Sequence, residues 1–365
     1  MSHFRKLLVE DIRRETADCV SIAFTIPMEW KEEFKYYQGQ NITVRTRIGD
    51  DEVRRSYSIC SSPFDNELRI AVKRVEGGLF SCFANEQLQR GQELEVLPPT
   101  GKFYTELKAD NRKNYLAIAA GSGITPVLSL IKTTLAVEPQ SHFTLVYGNR
   151  HRASIIFREE LEALKNRYMH RLALHHILSR EQMDVPLNQG RIDAAKCDEL
   201  CPRLIDITAV DEVFLCGPQE MIFAVSEWLE RQGIAKKKIH FELFHALGAD
   251  AAGNKAGSAG RDKTGAGMLK DKVSEVTVRL DGISHVFRLP FDGDSILNAA
   301  LMEGADLPFA CKGGVCCTCR AKLLEGEVEM DVNYALEADE LAAGFILCCQ
   351  SHPRTEKVII DFDSK

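Results

Sequence analysis

The chain has 365 residues, which is too long for one ordinary hydrophobic core and predicts two or three domains. Its formal net charge of −7 gives no general case for nucleic-acid binding. No run of about 18 uncharged apolar residues is present, so no segment is expected to span a bilayer, and the first residues lack the pattern of a secretory signal. These features predict a cytoplasmic protein of ordinary globular composition.

The negative charge is confined to the C-terminal quarter of the chain. Residues 272–365 contain 9 Lys and Arg against 16 Asp and Glu, while the remaining residues balance. This bias serves either solubility or the electrostatic attraction of a partner, and the sequence leaves both open.

Short strands separated by turns follow one another through residues 1–106. They are SIAFTI, NITVRTRI, VRRSYSI, LRIAVKRV and QELEVL. This spacing is typical of an all-β barrel.

From residue 115 the pattern changes to strand and helix in alternation. YLAIAAG precedes a helix expected from about Pro126, FTLVYGN precedes one expected near Ala153, and DEVFLCG precedes one expected near Pro218, with the strand RLALHHILS between the last two. Such alternation predicts an α/β domain with a parallel sheet and helices on both faces.

A stretch rich in Gly and Ala, residues 246–270, predicts a flexible tether. Beyond it, SEVTVRLDGISHVFRL predicts two strands joined at Asp281-Gly282. A short helix should then be capped by Asp294 or Ser295 and end at Gly304, and KVIIDFD should close a small α+β unit. The predicted segments are 1–108, 109–245, 246–271 as linker, and 272–365.

Six of the 12 cysteines fall between Cys311 and Cys349. Cys311, Cys316 and Cys319 have the C-x4-C-x2-C spacing of a plant-type [2Fe–2S] site, in which two irons need four thiolates and three come from one tight loop. A zinc ribbon is the alternative, but it normally offers a second C-x2-C pair, and residues 348–349 are adjacent cysteines. Spacing alone leaves Cys317 and Cys348 open as ligands.

Two turns of the α/β segment can approach a nucleotide. Gly121-Ser-Gly123-Ile-Thr125-Pro126 lies between an apolar strand and a helix, where glycines let the backbone approach a pyrophosphate. Leu215-Cys216-Gly217-Pro218 also ends an apolar strand. Each turn is equally compatible with an ordinary strand–helix connection, but together they can frame one site beyond the carboxyl ends of the strands.

Ser179-Arg180 follows another strand, where a hydroxyl and a guanidinium can hold a 2′-phosphate. An exposed loop arginine is the alternative. We interpret His170, His175, His176, Cys197 and Cys201 as structural, because none has a metal-ligand partner nearby in sequence.

The barrel carries two further groups of polar residues. In Arg55-Ser-Tyr57-Ser58 an Arg can neutralise a phosphate, a Tyr can stack on an aromatic ring and a Ser can bond to a ring nitrogen. Gly77-Gly78-Leu79-Phe80-Ser81 enters a helix with geometry that suits an anion. Taken alone, each is compatible with ordinary strand and turn chemistry.

Taken in order, these four patterns make residues 1–245 similar to the ferredoxin–NADP reductase family. The resemblance implies that Gly121, Thr125, Cys216 and Gly217 line the nicotinamide site, that Ser179-Arg180 selects NADPH with NADH still possible, and that Ser58 and Cys216 orient the reacting rings. It also implies an FAD site formed by Arg55, Tyr57, Ser58, Ile59, Val72, Gly78, Leu79, Phe80 and Ser81.

Residues 272–365 resemble plant-type ferredoxin, a β-grasp fold. In Gly344-Phe-Ile-Leu-Cys-Cys349-Gln the final cysteine matches the fourth ligand of that family. The resemblance therefore implies a cluster held by Cys311, Cys316, Cys319 and Cys349, with Cys317 and Cys348 as spectators.

The order flavin domain, nucleotide domain, ferredoxin resembles the reductases of oxygenase systems, in particular those of phenylacetyl-CoA epoxidase complexes. Four segments carry that finer resemblance: Tyr147-Gly-Asn-Arg150, Gly190-Arg-Ile-Asp193, residues 308–316 and residues 324–336. It implies electron transfer from NADPH through FAD and the cluster to an epoxidase made of several different polypeptides. The alternatives are another ring-hydroxylating or diiron oxygenase, a stand-alone diaphorase, and a redox-sensing regulator, for which we find no nucleic-acid-binding element.

Overall fold

The computed structural model describes residues 3–244 and 272–364. The chain separates into two compact units, a larger one built on the two N-terminal sheets and a smaller one built on the C-terminal sheets. The predicted tether at 246–271 lies outside the described residues. No helix in the described ranges is long and apolar enough to cross a membrane.

The first sheet has six strands in the order β4-β3-β6-β1-β2-β5, with helix α1 after β5. Ile59, which follows β4, bridges antiparallel to Ile70 of β5, so the two edges meet and the sheet closes into the predicted barrel. The elements are β1 (Arg5–Thr16), β2 (Cys19–Thr25), β3 (Asn41–Ile48), β4 (Asp51–Ser58), β5 (Leu68–Lys73), α1 (Leu79–Glu86) and β6 (Glu93–Val96).

Alternation along the strands fills the barrel. Leu7 and Val9 of β1 are fully buried while Leu8 between them is 43% exposed, as expected when successive side chains point to opposite faces. Each fully buried aliphatic side chain contributes roughly 1.5–3 kcal/mol. The barrel is therefore held by its own core, which includes Ile22, Phe24, Ile70 and Val72.

The second sheet has five parallel strands in the order β11-β10-β7-β8-β9. Helices α2 and α3 pack on the face that carries Tyr115, Ala117 and Ala119, and α5 contacts β10 and β11. The elements are β7 (Asn114–Ala120), α2 (Ile124–Val137), β8 (His142–Asn149), α3 (Arg158–Arg167), β9 (Leu172–Leu178), α4 (Ala194–Leu204), β10 (Glu212–Gly217), α5 (Gln219–Arg231) and β11 (Ile239–Leu243).

The helix expected near Ala153 begins later, at Arg158, so that prediction was wrong. A single 3₁₀ turn, Arg152–Ser154, comes first, and Phe157 then takes a left-handed conformation with φ 58°. Ile155, Ile156 and Phe157 are all buried. Because these three side chains pack in the core, this segment is not helical, and the helix begins only after it.

The C-terminal unit contains a five-stranded sheet in the order β13-β12-β18-β14-β16 and a two-stranded sheet, β15-β17. The hairpin turn falls at Asp281 and Gly282 (φ 54° and 74°), Ser295 caps α6 by accepting from the Asn298 N–H, and Gly304 follows the helix with φ 84°. Its elements are β12 (Val273–Leu280), β13 (Ile283–Pro290), α6 (Ile296–Met302), β14 (Arg320–Glu325), β15 (Val328–Met330), α7 (Ala338–Ala342), β16 (Phe345–Leu347), β17 (Ser351–Pro353) and β18 (Lys357–Asp361).

Candidate functional site

The order of the parallel sheet reverses between β7 and β10, and the two predicted glycine turns meet there. The chain leaves β7 toward β8 on one side, and leaves β10 toward β11 on the other. Cys216 is in register with Ala119, so both turns emerge at the same edge of the sheet. Such a reversal opens a crevice beyond the carboxyl ends of the strands, where ligands of this fold class bind.

The two turns touch through their backbones at Gly123. A Cβ added there would lie 2.1 Å from the carbonyl oxygen of Cys216. Only a residue without a side chain permits this approach. The glycine that sequence analysis assigned to pyrophosphate access therefore also brings the Cys216 turn beside the first turn.

The first turn is held in one conformation by its own hydrogen bonds. Gly121 has φ 55°, and its carbonyl accepts a hydrogen bond from the buried Tyr147 hydroxyl at 2.8 Å. Thr125 Oγ1 donates to the Ser122 carbonyl at 3.0 Å. The Ile124 N–H donates back to the Gly121 and Ser122 carbonyls, and the positive end of the α2 dipole at this turn favours an anion. This arrangement fits a dinucleotide phosphate.

A carboxylate that sequence analysis missed lies beside the predicted catalytic residues. Glu242 is on β11, and its Oε2 accepts a hydrogen bond from Ser58 Oγ at 2.7 Å. Cys216 is fully buried, and its thiol pKa is raised first by burial and then by the negative charge of Glu242. Ser58, Cys216 and Glu242 therefore form one polar site between the barrel and the parallel sheet.

The available sequence signal for Glu242 was weak. It is an acidic residue near the carboxyl end of the short strand IHFEL, at the edge of a parallel sheet. Ser58 is 184 positions earlier in the chain. Only the packing of the barrel against the parallel sheet brings the two together.

The barrel side of the site contains the predicted glycine turn. Gly77 has φ 73°, and Gly78 directly precedes α1. A Cβ on Gly78 would lie 2.5 Å from Ser81 Oγ, which accepts a hydrogen bond from the Val75 N–H. A side chain at Gly78 would therefore collide with Ser81, so glycine is needed for this tight turn, and the turn lies at the N-terminus of a helix, where a diphosphate fits.

The remaining predicted flavin residues divide by their burial. Tyr57 is half-buried on β4, with its ring centroid 5.4 Å from that of Phe80. Ile59, Val72 and Phe80 are at most 1% exposed. Their side chains belong to the barrel core, so a flavin would reach them only through their backbone. Leu79 is 46% exposed.

Arg55 lies on the same strand as Tyr57 and Ser58. Its Nη1 donates to the Arg54 carbonyl at 2.7 Å. Because side chains alternate along a strand, Arg55 and Tyr57 share a face and Ser58 points to the other.

Ser179 and Arg180 extend the parallel ladder beyond β9. The Ser179 N–H donates to the Asn149 carbonyl and the Arg180 N–H to the Arg150 carbonyl, both at 2.9 Å. The backbones of Arg150 and Arg180 are thus joined just beyond the carboxyl ends of β8 and β9. Among the described residues neither guanidinium has an ion-pair partner, and this pair of cations suits a phosphate.

Of the residues interpreted as structural, Cys197 and Cys201 are buried, His175 and His176 are half-buried and His170 is exposed. His175 and His176 have lowered pKa values, first because burial disfavours their charged form. Burial likewise raises the thiol pKa values of Cys197 and Cys201 on α4, to about 12 and about 11. These groups are neutral core residues.

The cysteine loop of the C-terminal unit is curled by residues in the left-handed region. Lys312, Gly314 and Cys317 have φ values of 50°, 74° and 54°. The Gly313 N–H points at Cys311 Sγ, 3.3 Å away. A loop of this shape presents backbone donors to sulfur, which stabilises thiolates.

The four predicted ligands gather as two pairs of thiols. Cys311 hydrogen bonds to Cys316, which raises the pKa of Cys311 and lowers that of Cys316. Cys319 and Cys349 pair in the same way: the Cys319 thiol is the largest cause of the lowered Cys349 pKa, and the Gln350 amide and Gly314 N–H add to it. Two thiols for each of two irons is the ligand set of a [2Fe–2S] cluster, so the residues present fit that group.

A zinc site was the alternative interpretation of these cysteines. A structural zinc ion needs about four ligands around one centre. Within residues 3–244 and 272–364 no three His, Cys, Asp or Glu side chains converge on a single ion position.

Cys317 and Cys348, the two other cysteines of the region, do not take part in the two thiol pairs. Cys348 is fully buried in the core of the unit, and burial raises its thiol pKa. Cys317 Sγ donates to the Ala335 carbonyl at 3.4 Å.

Comparison with known proteins assigns the three segments. Residues 6–104 match the oxidoreductase FAD-binding domain, residues 117–227 the oxidoreductase NAD-binding domain, and residues 278–354 the 2Fe-2S iron-sulfur cluster binding domain.

Two relatives match over nearly the whole length of both chains. One subunit of the 1,2-phenylacetyl-CoA epoxidase of Escherichia coli (strain K12) is 45% identical over 100% of this chain and 99% of its own. The ferredoxin reductase component of the 3-ketosteroid-9-alpha-monooxygenase of Rhodococcus rhodochrous is 35% identical over 98% of this chain and 96% of its own.

Among solved structures, phthalate dioxygenase reductase is similar in fold. The TM-score is 0.56 at 23% identity, and the alignment covers 98% of each chain. The chain therefore belongs to the family of flavin- and iron–sulfur-dependent reductases in which an FAD-binding barrel, an NAD-binding domain and a [2Fe–2S] ferredoxin domain are joined in one polypeptide.

Proposed function

We propose that this protein carries electrons from NADPH through FAD and its [2Fe–2S] cluster to the oxygenase of a phenylacetyl-CoA epoxidase built from several different polypeptides. The observation that carries the proposal is the 45% identity over the whole chain to one component of such an epoxidase. The acidic bias of residues 272–365 supports docking of this segment on a basic face of the partner. A cytoplasmic location is part of the proposal, because 12 cysteines, none of them in a disulfide in the part of the chain that the structure describes, suit a reducing compartment.

We assign the bounds 1–108, 109–245, 246–271 and 272–365 to the flavin domain, nucleotide domain, linker and ferredoxin domain. FAD would be held by the Gly78–Ser81 turn, with Arg55, Tyr57 and Ser58 from β4. The nicotinamide dinucleotide would be held by the Gly121–Thr125 turn and by Cys216-Gly217. These turns offer backbone N–H groups and helix N-termini to phosphates.

A bound flavin would supply the conversion of a two-electron hydride donor into one-electron transfers. The chain's own residues orient the reactants and hold charge. Ser58 keeps its hydroxyl directed at Glu242, so the Ser58 Oγ proton is held toward Glu242 Oε2. Cys216 remains a neutral thiol, so it positions a ring by contact and does not act as a nucleophile.

The preference for NADPH is supported by the arginine pair. The Arg180 N–H donates to the Arg150 carbonyl, and neither guanidinium has an ion-pair partner among the described residues. A 2′-phosphate would compensate both charges, whereas NADH would leave them without a counter-ion. Ser179 adds a hydroxyl donor at the same position.

The ligand set Cys311, Cys316, Cys319 and Cys349 belongs to the same proposal. It is supported by the two thiol pairs, and by the burial of Cys348 in the core. Three ligands from one loop and a fourth from the turn before β17 would place the cluster at the end of the ferredoxin sheet.

Anaerobic stopped-flow spectroscopy with NADPH and with NADH tests the electron path. We expect the flavin band to bleach first and the broad iron–sulfur absorbance to follow, faster with NADPH. Addition of the phenylacetyl-CoA epoxidase oxygenase should then reoxidise the cluster at a rate that falls with salt.

A Rieske oxygenase serves as the comparison partner. Equal turnover with both oxygenases would contradict the proposal that the epoxidase oxygenase is the specific partner. Turnover with a dye but with neither oxygenase would identify a diaphorase instead.

A further inference from the structure

Gln350 is the residue after the proposed fourth ligand, and its amide faces three acceptors. Gln350 Nε2 lies 2.9 Å from the Lys312 carbonyl, 3.0 Å from the Cys349 carbonyl and 3.6 Å from Cys349 Sγ. The longest distance is appropriate for sulfur, because the sulfur atom is larger than oxygen. Since every one of these neighbours accepts, the amide nitrogen and not the oxygen must face them.

The position of the amide is fixed by the fold and not by the sulfur. The Gln350 N–H donates to the Leu347 carbonyl at 2.9 Å, and its carbonyl accepts from the Asp331 N–H at 2.9 Å. The side chain also packs closely on the cysteine loop, since a Cβ on Gly314 would lie 3.2 Å from Gln350 Cγ. The amide therefore connects the loop of the first three cysteines to the fourth.

A donor held against a ligand sulfur changes the energy of the cluster. Reduction adds one electron, and part of that charge falls on the thiolate sulfurs. A hydrogen bond to sulfur stabilises the reduced form more than the oxidised form, so it raises the reduction potential. Cys349 is only 7% exposed, so water cannot easily replace the lost donor.

We propose that Gln350 is a positioning residue that raises the reduction potential of the cluster and so favours electron transfer from the flavin to it. The inference rests on the proposed function, because it takes Cys349 as the fourth ligand. One electron enters the cluster, and no covalent bond forms or breaks at Gln350. The residue also ties the fourth ligand to the loop that supplies the other three.

The test is a redox titration of the purified holoprotein, followed by EPR of the reduced cluster. Gln350→Leu removes the donor and keeps the bulk of the side chain. We expect the potential to fall so that about tenfold less cluster is reduced at a fixed ambient potential, which is about 59 mV for a one-electron couple. An unchanged potential with a full complement of iron would overturn the proposal.

A second variant keeps the test decisive if Gln350→Leu does not retain its cluster. Gln350→Glu has the same shape but places a carboxylate beside the sulfur, so we expect a lower potential that recovers as the pH is lowered and the carboxyl becomes a donor. A potential that is the same as in the unaltered protein at every pH would overturn the role of Gln350.

Asn298→Leu is the matched control. Its amide oxygen accepts from Lys312 Nζ at 2.7 Å, so it contacts the same loop without touching a sulfur. We expect its potential to stay close to that of the unaltered protein. An equal fall in Asn298→Leu would mean that any disturbance of the loop lowers the potential, and would also overturn the proposal.

The ligand assignment is tested separately by Cys349→Ser. If that variant keeps a normal cluster, the proposed ligand set is wrong. If it loses the cluster while Gln350→Leu leaves the potential unchanged, the ligand set stands and only the role of Gln350 fails.

Discussion

At the scale of single residues, the hydrogen bond between Ser58 and Glu242 connects the barrel to the far edge of the parallel sheet. It is 2.7 Å long and its acceptor is a carboxylate. Hydrogen bonds to charged groups are worth roughly 1.5–3 kcal/mol. Part of that energy can hold the Ser58 side chain in the orientation that hydride transfer needs.

We expect Ser58→Ala to slow reduction of the flavin by NADPH about tenfold, which is about 1.4 kcal/mol of barrier. Stopped-flow bleaching of the flavin band measures this rate. Ser62→Ala is the control, because the Ser62 hydroxyl pairs with Thr133 and does not contact Glu242. Equal rates in Ser58→Ala and the unaltered protein would remove the hydroxyl from the mechanism.

The adjacent cysteines 348 and 349 should differ completely in effect. Cys349→Ser should abolish the iron–sulfur absorbance, because its thiol pairs with Cys319. Cys348→Ser should retain it, at a stability cost of about 1–3 kcal/mol for a hydroxyl buried in the core. Iron content and visible spectra of the two variants measure whether the cluster is present. If Cys348→Ser lost the cluster and Cys349→Ser kept it, Cys348 would be the ligand and Cys349 would not.

Arg180→Ala tests the nucleotide preference. Loss of a charge-assisted contact to the 2′-phosphate should lower the ratio of kcat/KM for NADPH over NADH by about tenfold or more. Steady-state kinetics with a dye acceptor give that ratio. Arg203→Ala, a surface change on α4 of the same domain, should leave it unaltered, and the same ratio in both variants would exclude Arg180 from selection.

At the scale of secondary structure elements, the two turns at the switch point behave as one unit because they touch at Gly123. We expect Gly123→Ala to separate them, which costs about 1–3 kcal/mol or more when backbone must shift. The KM for both nucleotides should rise and the Tm should fall. Full nucleotide affinity in Gly123→Ala would mean that the contact is not needed.

The same scale explains what could be predicted from the sequence. The strand and helix types, the hairpin at Asp281-Gly282 and the Ser295 cap depend on residues within a few positions of one another, so local patterns were sufficient. The cysteine loop is local for the same reason. The start of α3 was wrong because the burial of residues 155–157 is decided by the tertiary core.

The site was less accessible to such reasoning. The importance of Glu242 depends on Ser58, and that of Gln350 on the loop at Lys312, and neither pair is close in sequence. The roles of Ile59, Val72 and Phe80 came from the family resemblance, while their burial in the barrel depends on closure of the sheet. The periodicity of the sequence alone does not predict that the sheet closes into a barrel.

At the scale of the whole molecule, the core of the ferredoxin unit shares no residue with the two cores of the larger unit. We therefore expect residues 1–245 alone to fold, bind FAD and reduce a dye with NADPH at a rate within about twofold of the full chain. The same fragment should not reduce the oxygenase. Circular dichroism and flavin content measure folding, and an unfolded fragment would contradict the independence of the cores.

The pairing of Cys319 with Cys349 has a consequence for iron supply. Cys349, the proposed fourth ligand, comes 30 residues after Cys319, so a cluster held by both would close a long loop of the C-terminal unit, and withdrawal of iron would open it. We expect the larger unit to fold without iron. In a cell starved of iron, the protein would thus accumulate without its cluster. It would still oxidise reduced nicotinamide, but it could not transfer the electrons to the oxygenase.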